Sequence, residues 1–250
     1  MDTTYRSEAP ELMDNFAMEG ETLRDALDKI AFINRLLGGN KVTLQGIKAL
    51  LTPGPTHTAT SAVSAVSAAR KKDISILDVG CGNGDMLRTL ARYAQKKGLS
   101  FQLYGIDANE FTIRHAQSLS QHYPNISFIC ADIFDEMAQA HQYDIILCTL
   151  TLHHFKNEDI LKLLSGFAKQ SKLGFVINDL HRSAVAYHLF KIICFIFRLN
   201  SMSREDGLIS ILRGFKREDF LLFSDQLHFN NYRLKWKWAF RYQWIVKTYG

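Results

Sequence analysis

The sequence predicts an α/β fold: a doubly wound, seven-stranded, mostly parallel sheet with helices added before the first strand and after the fifth. Three observations carry this. Between Ile74 and Asn178, short apolar stretches alternate with stretches of helical spacing, as right-handed βαβ units require. The first apolar stretch runs into a glycine turn, Gly80-Cys81-Gly82-Asn83-Gly84, and then into a helical pattern. The chain closes with two strand-like stretches, Tyr232–Trp238 and Arg241–Thr248, which bring the count to seven. At 250 residues the chain can bury one large core, or one core and a small appendage.

Taken in order, Leu12, Phe16, Leu23, Leu27, Ile30, Ile33, Leu36 and Leu37 recur at helical spacing over residues 11–37. Gly38-Gly39-Asn40 stops that region, a second helix is expected over Thr43–Leu51, and Pro53-Gly54-Pro55 breaks it. Thr56–Ala69 is a Thr/Ser/Ala/Val tract without bulky core residues and reads as a linker or a weak exposed helix. Strands are expected at Ile74–Val79, Phe101–Ile106, Ile126–Ile129, Tyr143–Cys148 and Leu173–Asn178. Helices are expected at Asp85–Lys97, Glu110–His122, Ile133–Gln139 and Asn157–Gln170. After Asn178 the pattern changes to an apolar helix over Ser183–Leu199, a polar loop over Asn200–Gly207, a short helix at Leu208–Arg213 and a helix over Lys216–Gln226. Tyr232, Leu234, Trp236 and Trp238 alternate with Arg233, Lys235 and Lys237, a half-buried strand whose lysines suit a sheet edge.

Ligands of a doubly wound sheet bind outside the carboxyl ends of its strands. The first strand ends in Asp78-Val79-Gly80-Cys81-Gly82-Asn83-Gly84-Asp85. A dinucleotide fingerprint would place a third glycine where Asp85 stands. An acid at position 78 repels a pyrophosphate and attracts an ammonium group, so an amino-acid-bearing nucleoside fits better and a nicotinamide-dependent oxidoreductase is disfavoured. Here the chain resembles the class I S-adenosylmethionine-dependent methyltransferases, whose first motif reads roughly E/D-x-G-x-G-x-G; Asp78, Gly80, Gly82 and Gly84 match it. The resemblance implies a Rossmann-like methyltransferase fold with its last strand antiparallel beside the fifth, and S-adenosyl-L-methionine as cofactor. It places the methionine end at Asp78, Gly80, Cys81 and Gly82, and the ribose at Asp107, which lies 29 residues after Asp78 at the end of the second strand. It also puts Ala108 under the adenine, Asp132 on the adenine amino group, Ile133 on the ring and the main chain near Thr149 against the methionine moiety.

The fourth strand end, Thr149-Leu150-Thr151-Leu152-His153-His154-Phe155, has none of the prolines found where base-amine methyltransferases hold their substrate. It is similar to enzymes acting on quinols, phenols and natural products of secondary metabolism. The expected reaction is methyl transfer to a small, rather apolar hydroxyl- or enol-bearing acceptor, an O-methyltransferase reaction for preference. The alternatives are an RNA methyltransferase and a non-catalytic cofactor-binding or adaptor protein. A base helps when the nucleophile is a hydroxyl. His153, His154 and His181 are candidates, with His181 first, because it follows the fifth strand, and His154 second. The division expected is a helical cap and linker over 1–73, and a methyltransferase domain over 74–250 whose insertion at about 181–226 covers the acceptor. The helix with Tyr187, Phe190, Ile193, Cys194, Phe195 and Phe197 reads as a core helix, an acceptor wall or a foot on a membrane surface. Asn34-Arg35 on the N-terminal helices is expected on the opposite wall.

Bulk properties narrow the partners. The chain is 47% apolar and 22% charged, with a net charge of +5. Its last 25 residues, from Gln226 on, hold five Lys or Arg and no acid, but no long basic arm, which argues against nucleic acid. Cys81, Cys130, Cys148 and Cys194 show no disulfide or zinc spacing, and no metal is expected from them. Free thiols and the absence of a signal-like N-terminal core point to the cytoplasm. The apolar run Ala184–Leu199 is short for a membrane span. The expected state is a monomer or homodimer.

Overall fold

The computed structural model describes residues 2–52 and 73–248. The Pro53–Pro55 break and the Thr56–Ala69 tract lie outside the described residues. Along the chain run α1 (Glu21–Leu36), α2 (Gly39–Leu51), β1 (Ile74–Val79), α3 (Asp85–Lys97), β2 (Phe101–Asp107), α4 (Glu110–Leu119) and β3 (Ile126–Cys130). They are followed by α5 (Ile133–Ala138), β4 (Tyr143–Thr149), α6 (Asn157–Gln170), β5 (Ser171–Leu180), α7 (Ala184–Ile196), α8 (Ser201–Arg213) and α9 (Arg217–Gln226). The strands β6 (Tyr232–Lys237) and β7 (Arg241–Lys247) close the fold, and 3-10 turns occupy Leu12–Asp14 and Leu152–His154.

The strands form one sheet in the order β3-β2-β1-β4-β5-β7-β6. β1 to β5 pair in parallel, and β7 runs antiparallel between β5 and β6. Successive side chains point to opposite faces of a strand, and both faces here are covered. Leu77, Ile146, Cys148, Phe175, Ile177 and Trp244 join one apolar cluster; Ile76, Ile145, Leu147, Val176 and Ile245 join the other. β6 lies at the sheet edge with Arg233 and Lys235 exposed. The order reverses between β1 and β4, which opens the ligand crevice beside the glycine turn. α3 begins there with Asp85 in its first turn and stops at Gly98, in the left-handed region, after Lys96 and Lys97, so its charges complement the helix dipole.

Two expectations are corrected. First, Asn200–Gly207 is no loop: α8 begins at Ser201. The Asn200 side chain caps it, accepting from the Ser203 N–H at 2.8 Å, while Asp206 accepts the N–H groups of Leu12 and Met13 at 2.7 and 3.0 Å. Distant backbone thus satisfies polar residues that a local reading assigns to solvent. Second, α7 is no core helix. Of its residues only Ala186 and Cys194 are buried, and Val185, Ile192, Phe195 and Ile196 are exposed. α2, within the region read as a helical cap, packs on the sheet. Ile47 and Leu50 are buried in the same cluster as β1, β4 and β5. Among the described residues, no helix is long and apolar enough to cross a membrane.

Gly46 sets how closely α2 approaches the sheet, since a Cβ there would stand 2.5 Å from a Val176 methyl. Gly46→Ala gains about 1 kcal/mol of helix propensity but incurs overpacking of about 1–3 kcal/mol. A lower melting temperature by circular dichroism is expected, with partial recovery when Val176→Ala is added. An unchanged or raised melting temperature in the single variant would refute the close contact.

Candidate functional site

The glycine turn is shaped by backbone that other residues avoid. Gly80 and Gly82 both have φ in the left-handed region, at 65° and 52°. A Cβ on Gly80 would strike the Thr151 side chain at 2.3 Å. One on Gly82 would meet nothing nearer than Leu27 at 3.9 Å and would instead fill the crevice. Asp85 anchors the turn to the N-terminal helices: its carboxylate accepts from Arg35 at 2.6 Å and from the Asn40 amide at 2.7 Å. The residue that excludes a dinucleotide fingerprint thus has a structural task of its own.

Around this turn lies a cavity of about 800 Å³, and the predicted residues fall on its wall. Asp78, Gly80, Cys81, Gly82, Asp107, Ala108, Asp132, Ile133, Thr149 and His154 all line it. Asp78 is 2% exposed, and its Oδ1 has no hydrogen-bond partner. Burial, and then the charge of Asp107, push its carboxyl up to about 8. Asp107 is held in place: Oδ2 accepts the Gly82 N–H at 3.2 Å and Oδ1 the Asn109 N–H at 3.0 Å. Burial raises its carboxyl as well, against the pull of those two N–H donors. Asp132 caps α5, accepting the Phe134 N–H at 2.7 Å, while Ile133 presents an apolar surface beside it. Thr149 Oγ1 lies 3.1 Å from Thr43 Oγ1, which ties the end of β4 to α2. These residues fit an S-adenosylmethionine molecule: the unpartnered Asp78 oxygen suits its ammonium group, and the bare Gly82 backbone leaves room for the chain.

The far end of the cavity is polar and comes from distant parts of the chain. Glu11, Asp14, His153, His154, Asp206 and Ser210 line it. His153 Nδ1 stands 2.7 Å from Asp179 Oδ1, and His154 Nδ1 stands 2.7 Å from Asp14 Oδ1. Burial favours the neutral form of Asp179, but the His153 imidazole outweighs it and holds the carboxyl below the ordinary range. Arg213 donates to Asp14 Oδ2 at 2.6 Å and to the carbonyls of His153 and His154; Arg6 donates to those of His153 and Phe155, each at 3.0 Å. Leu27, Ile30, Leu189, Phe190 and Ile193 of α1 and α7 form apolar walls, and Asn34 joins them.

His181 is the expected site residue that the structure sets apart. It does not line the cavity. Its backbone continues past β5 to pair with Phe215, its ring stacks on Phe240 and meets Tyr242 edge-on, and its Nδ1 accepts from the Trp236 indole at 3.2 Å. The sequence reading reached the right strand end but not the direction in which the side chain leaves it. Conversely, Glu11 and Asp14 carry no local signal; only the docking of the N-terminal turn on α8 brings them to the site.

Comparison with known proteins agrees with this geometry. Residues 76–174 match a family model described as a methyltransferase domain. Phosphoethanolamine N-methyltransferase 1 of Zea mays is 33% identical over 102 residues, covering 40% of this chain and 19% of that protein. The cephaeline 6'-O-methyltransferase of Carapichea ipecacuanha is 32% identical over 96 residues, 38% of this chain and 24% of that one. The matches thus span about a fifth to a quarter of these curated relatives. Among solved structures, the plantazolicin methyltransferase BamL, in complex with a triazolic desmethylPZN analog and SAH, superposes with a TM-score of 0.56 at 16% identity, covering 91% of this chain and 97% of that one. The CMeT domain of the citrinin polyketide synthase gives 0.54 at 14% identity, covering 74% and 49%. The matched segment, residues 76–174, holds the glycine turn and the acids that end β1, β2 and β3, and it is similar to methyltransferase domains, as the first motif is.

Proposed function

We propose that the protein transfers a methyl group from S-adenosylmethionine to a small, rather apolar acceptor bearing a hydroxyl or enol. One observation carries this reading: a single cavity runs from Asp78 and Asp107, past apolar walls from α1 and α7, to the His153–His154 polar end. Bound S-adenosylmethionine supplies an electrophilic methyl on a sulfonium. The chain's own task is to hold the two reactants in line and to activate the acceptor oxygen. Asp78 receives the ammonium group, Asp107 the ribose hydroxyls, Asp132 the adenine amino group and Ile133 the ring. The polar end, with His154 as its cavity-facing imidazole, activates the acceptor. His181 is left outside the reaction. Arg233 and Lys235 line no part of the cavity, so the basic terminal strand lends no support to an RNA substrate. The exposed apolar edge of α7 supports acceptor entry from an apolar phase, including transient contact at a membrane surface. A cytoplasmic monomer or homodimer suits the four free cysteines.

Three measurements test these roles. Asp107→Ala is expected to weaken S-adenosylhomocysteine binding by about 1–3 kcal/mol in calorimetry, the scale of hydrogen bonds to a charged group. Undiminished affinity removes Asp107 from the ribose. Asp78 is largely protonated at neutral pH, and a bound ammonium favours its ionised form. Binding at pH 7 is therefore expected to release a proton, and affinity to rise towards pH 8 by at most roughly tenfold per pH unit. Binding enthalpies independent of buffer ionisation, with a flat pH profile, would exclude Asp78 as the ammonium partner. Against a panel of phenols, quinols and enols, His154→Ala is expected to lower turnover by about 10²–10⁴-fold at nearly unchanged cofactor affinity, while His181→Ala keeps wild-type turnover. The reverse pattern would return the activating role to His181.

A further inference from the structure

Glu11, His153 and His154 converge with a geometry that hydrogen bonding within the protein does not explain. Glu11 and His153 are 5% and 2% exposed, and Glu11 Oε1 and His153 Nε2 both lack a hydrogen-bond partner. These two orphaned atoms face each other at 3.8 Å. His154 Nε2 approaches the other Glu11 oxygen at 3.9 Å. Both imidazoles turn their Nδ1 atoms to carboxylates at 2.7 Å, and an ionised carboxylate can only accept. Each Nδ1 therefore carries a proton, and each imidazole turns its Nε2 towards Glu11. Ser210 donates to Glu11 Oε2 at 2.7 Å, and Arg213 gives its hydrogen bonds to Asp14, Ala9 and two backbone carbonyls, so Glu11 Oε1 accepts no hydrogen bond and stands 3.7 Å from the Arg213 guanidinium. A carboxylate oxygen and an imidazole nitrogen thus lie buried face to face with no hydrogen bond between them, at a spacing that a cation between them would bridge.

We infer that Glu11, His153 and His154 bind a divalent first-row transition-metal ion at the acceptor end of the cavity. The three residues offer one ligand atom each, all within 4.8 Å of one another. Ligands at about 2.1 Å from such an ion stand roughly 3.0–3.4 Å apart, so the site closes by side-chain shifts of about half an ångström or a little more. Asp179 and Asp14 occupy the positions of the outer carboxylates that orient metal-bound histidines. Two imidazoles and one carboxylate suit zinc, cobalt, iron or manganese rather than magnesium or calcium, which prefer all-oxygen shells. Three protein ligands leave positions open towards the cavity, where an acceptor oxygen can bind and lose its proton near neutral pH. That proton passes to solvent water. The acceptor oxygen forms the bond to the methyl carbon, and the carbon–sulfur bond breaks with its electron pair returning to sulfur.

This inference rests on the methyltransferase reading for its chemistry, but its test does not need turnover. Untagged full-length protein, stripped with chelator and dialysed, is titrated with Co²⁺ followed by visible absorption, and with Zn²⁺ in a calorimeter. One equivalent is expected to bind. Glu11→Gln and His154→Ala are each expected to weaken binding more than about a hundredfold, and Asp14→Asn by a smaller factor, about 10–100-fold, the scale of outer partners. His181→Ala is the control and binds metal as wild type does. Thermal melts and S-adenosylhomocysteine affinity, both expected to be retained, show that the variants fold. Wild-type protein that takes up no Co²⁺ or Zn²⁺ overturns the inference, as does equal binding by Glu11→Gln and His154→Ala; the cluster then holds a shared proton. Either result leaves the methyltransferase reading intact as long as S-adenosylhomocysteine binds, whereas failure to bind S-adenosylhomocysteine strikes that reading whatever the metal does.

Discussion

The pairing of His153 with Asp179 is the contact on which the polar end of the cavity depends. Asp179 sits fully buried at the end of β5, where a lone carboxylate would cost several kcal/mol. The His153 imidazole at 2.7 Å, together with the N–H groups of His153 and Leu180, makes that burial tolerable. The 3-10 turn Leu152–His154 is thereby fastened across the ends of β4 and β5. Its carbonyls, exposed by the short turn, in turn require donors, and Arg6 and Arg213 supply them. One buried charge therefore recruits the N-terminal segment and α8 to the same place.

The two ends of the cavity are built on different principles. The cofactor end is local: a strand, a turn and a helix cap bring Asp78, Gly82 and Asp107 together, with the Gly82 N–H already oriented on the Asp107 carboxylate. Its one unpartnered oxygen, on Asp78, marks where a ligand's charge belongs. The acceptor end is assembled from segments as far apart as Glu11, His153 and Ser210, and each is held by hydrogen bonds to the others. This division suits a transferase whose methyl donor is constant and whose acceptor is particular, because the N-terminal and post-β5 helices can differ without disturbing the sheet.

Legibility in the sequence followed the same division. Strand–turn–helix units are short-range patterns, so the five parallel strands, their helices and the strand-end acids were readable within a few residues. α8 was misread because Ser203 and Asp206 are polar and yet buried, Asp206 accepting from the backbone of Leu12 and Met13 while Asn200 caps the helix through the Ser203 N–H. Periodicity cannot distinguish such residues from solvated ones. For α7, composition left a core helix, a cavity wall and a surface foot open, and the fold removes the first: its apolar faces line a cavity and meet solvent rather than core. His181 was misplaced because alternation along a strand decides which face a side chain leaves, and the chain's exit from β5 turns its ring towards Phe240 and Tyr242.

The sequence by itself determined the sheet, the glycine turn and the acids at the strand ends, because each depends on residues adjacent in the chain and on backbone conformations that only glycine adopts easily. Only the tertiary structure decided what lines the polar end of the cavity. Glu11 and Asp14 meet His153 and His154 across about 140 positions of sequence, and no local pattern encodes such a meeting. It arises because a buried carboxylate, a pair of imidazoles and two arginines must satisfy one another once the helices close over the sheet.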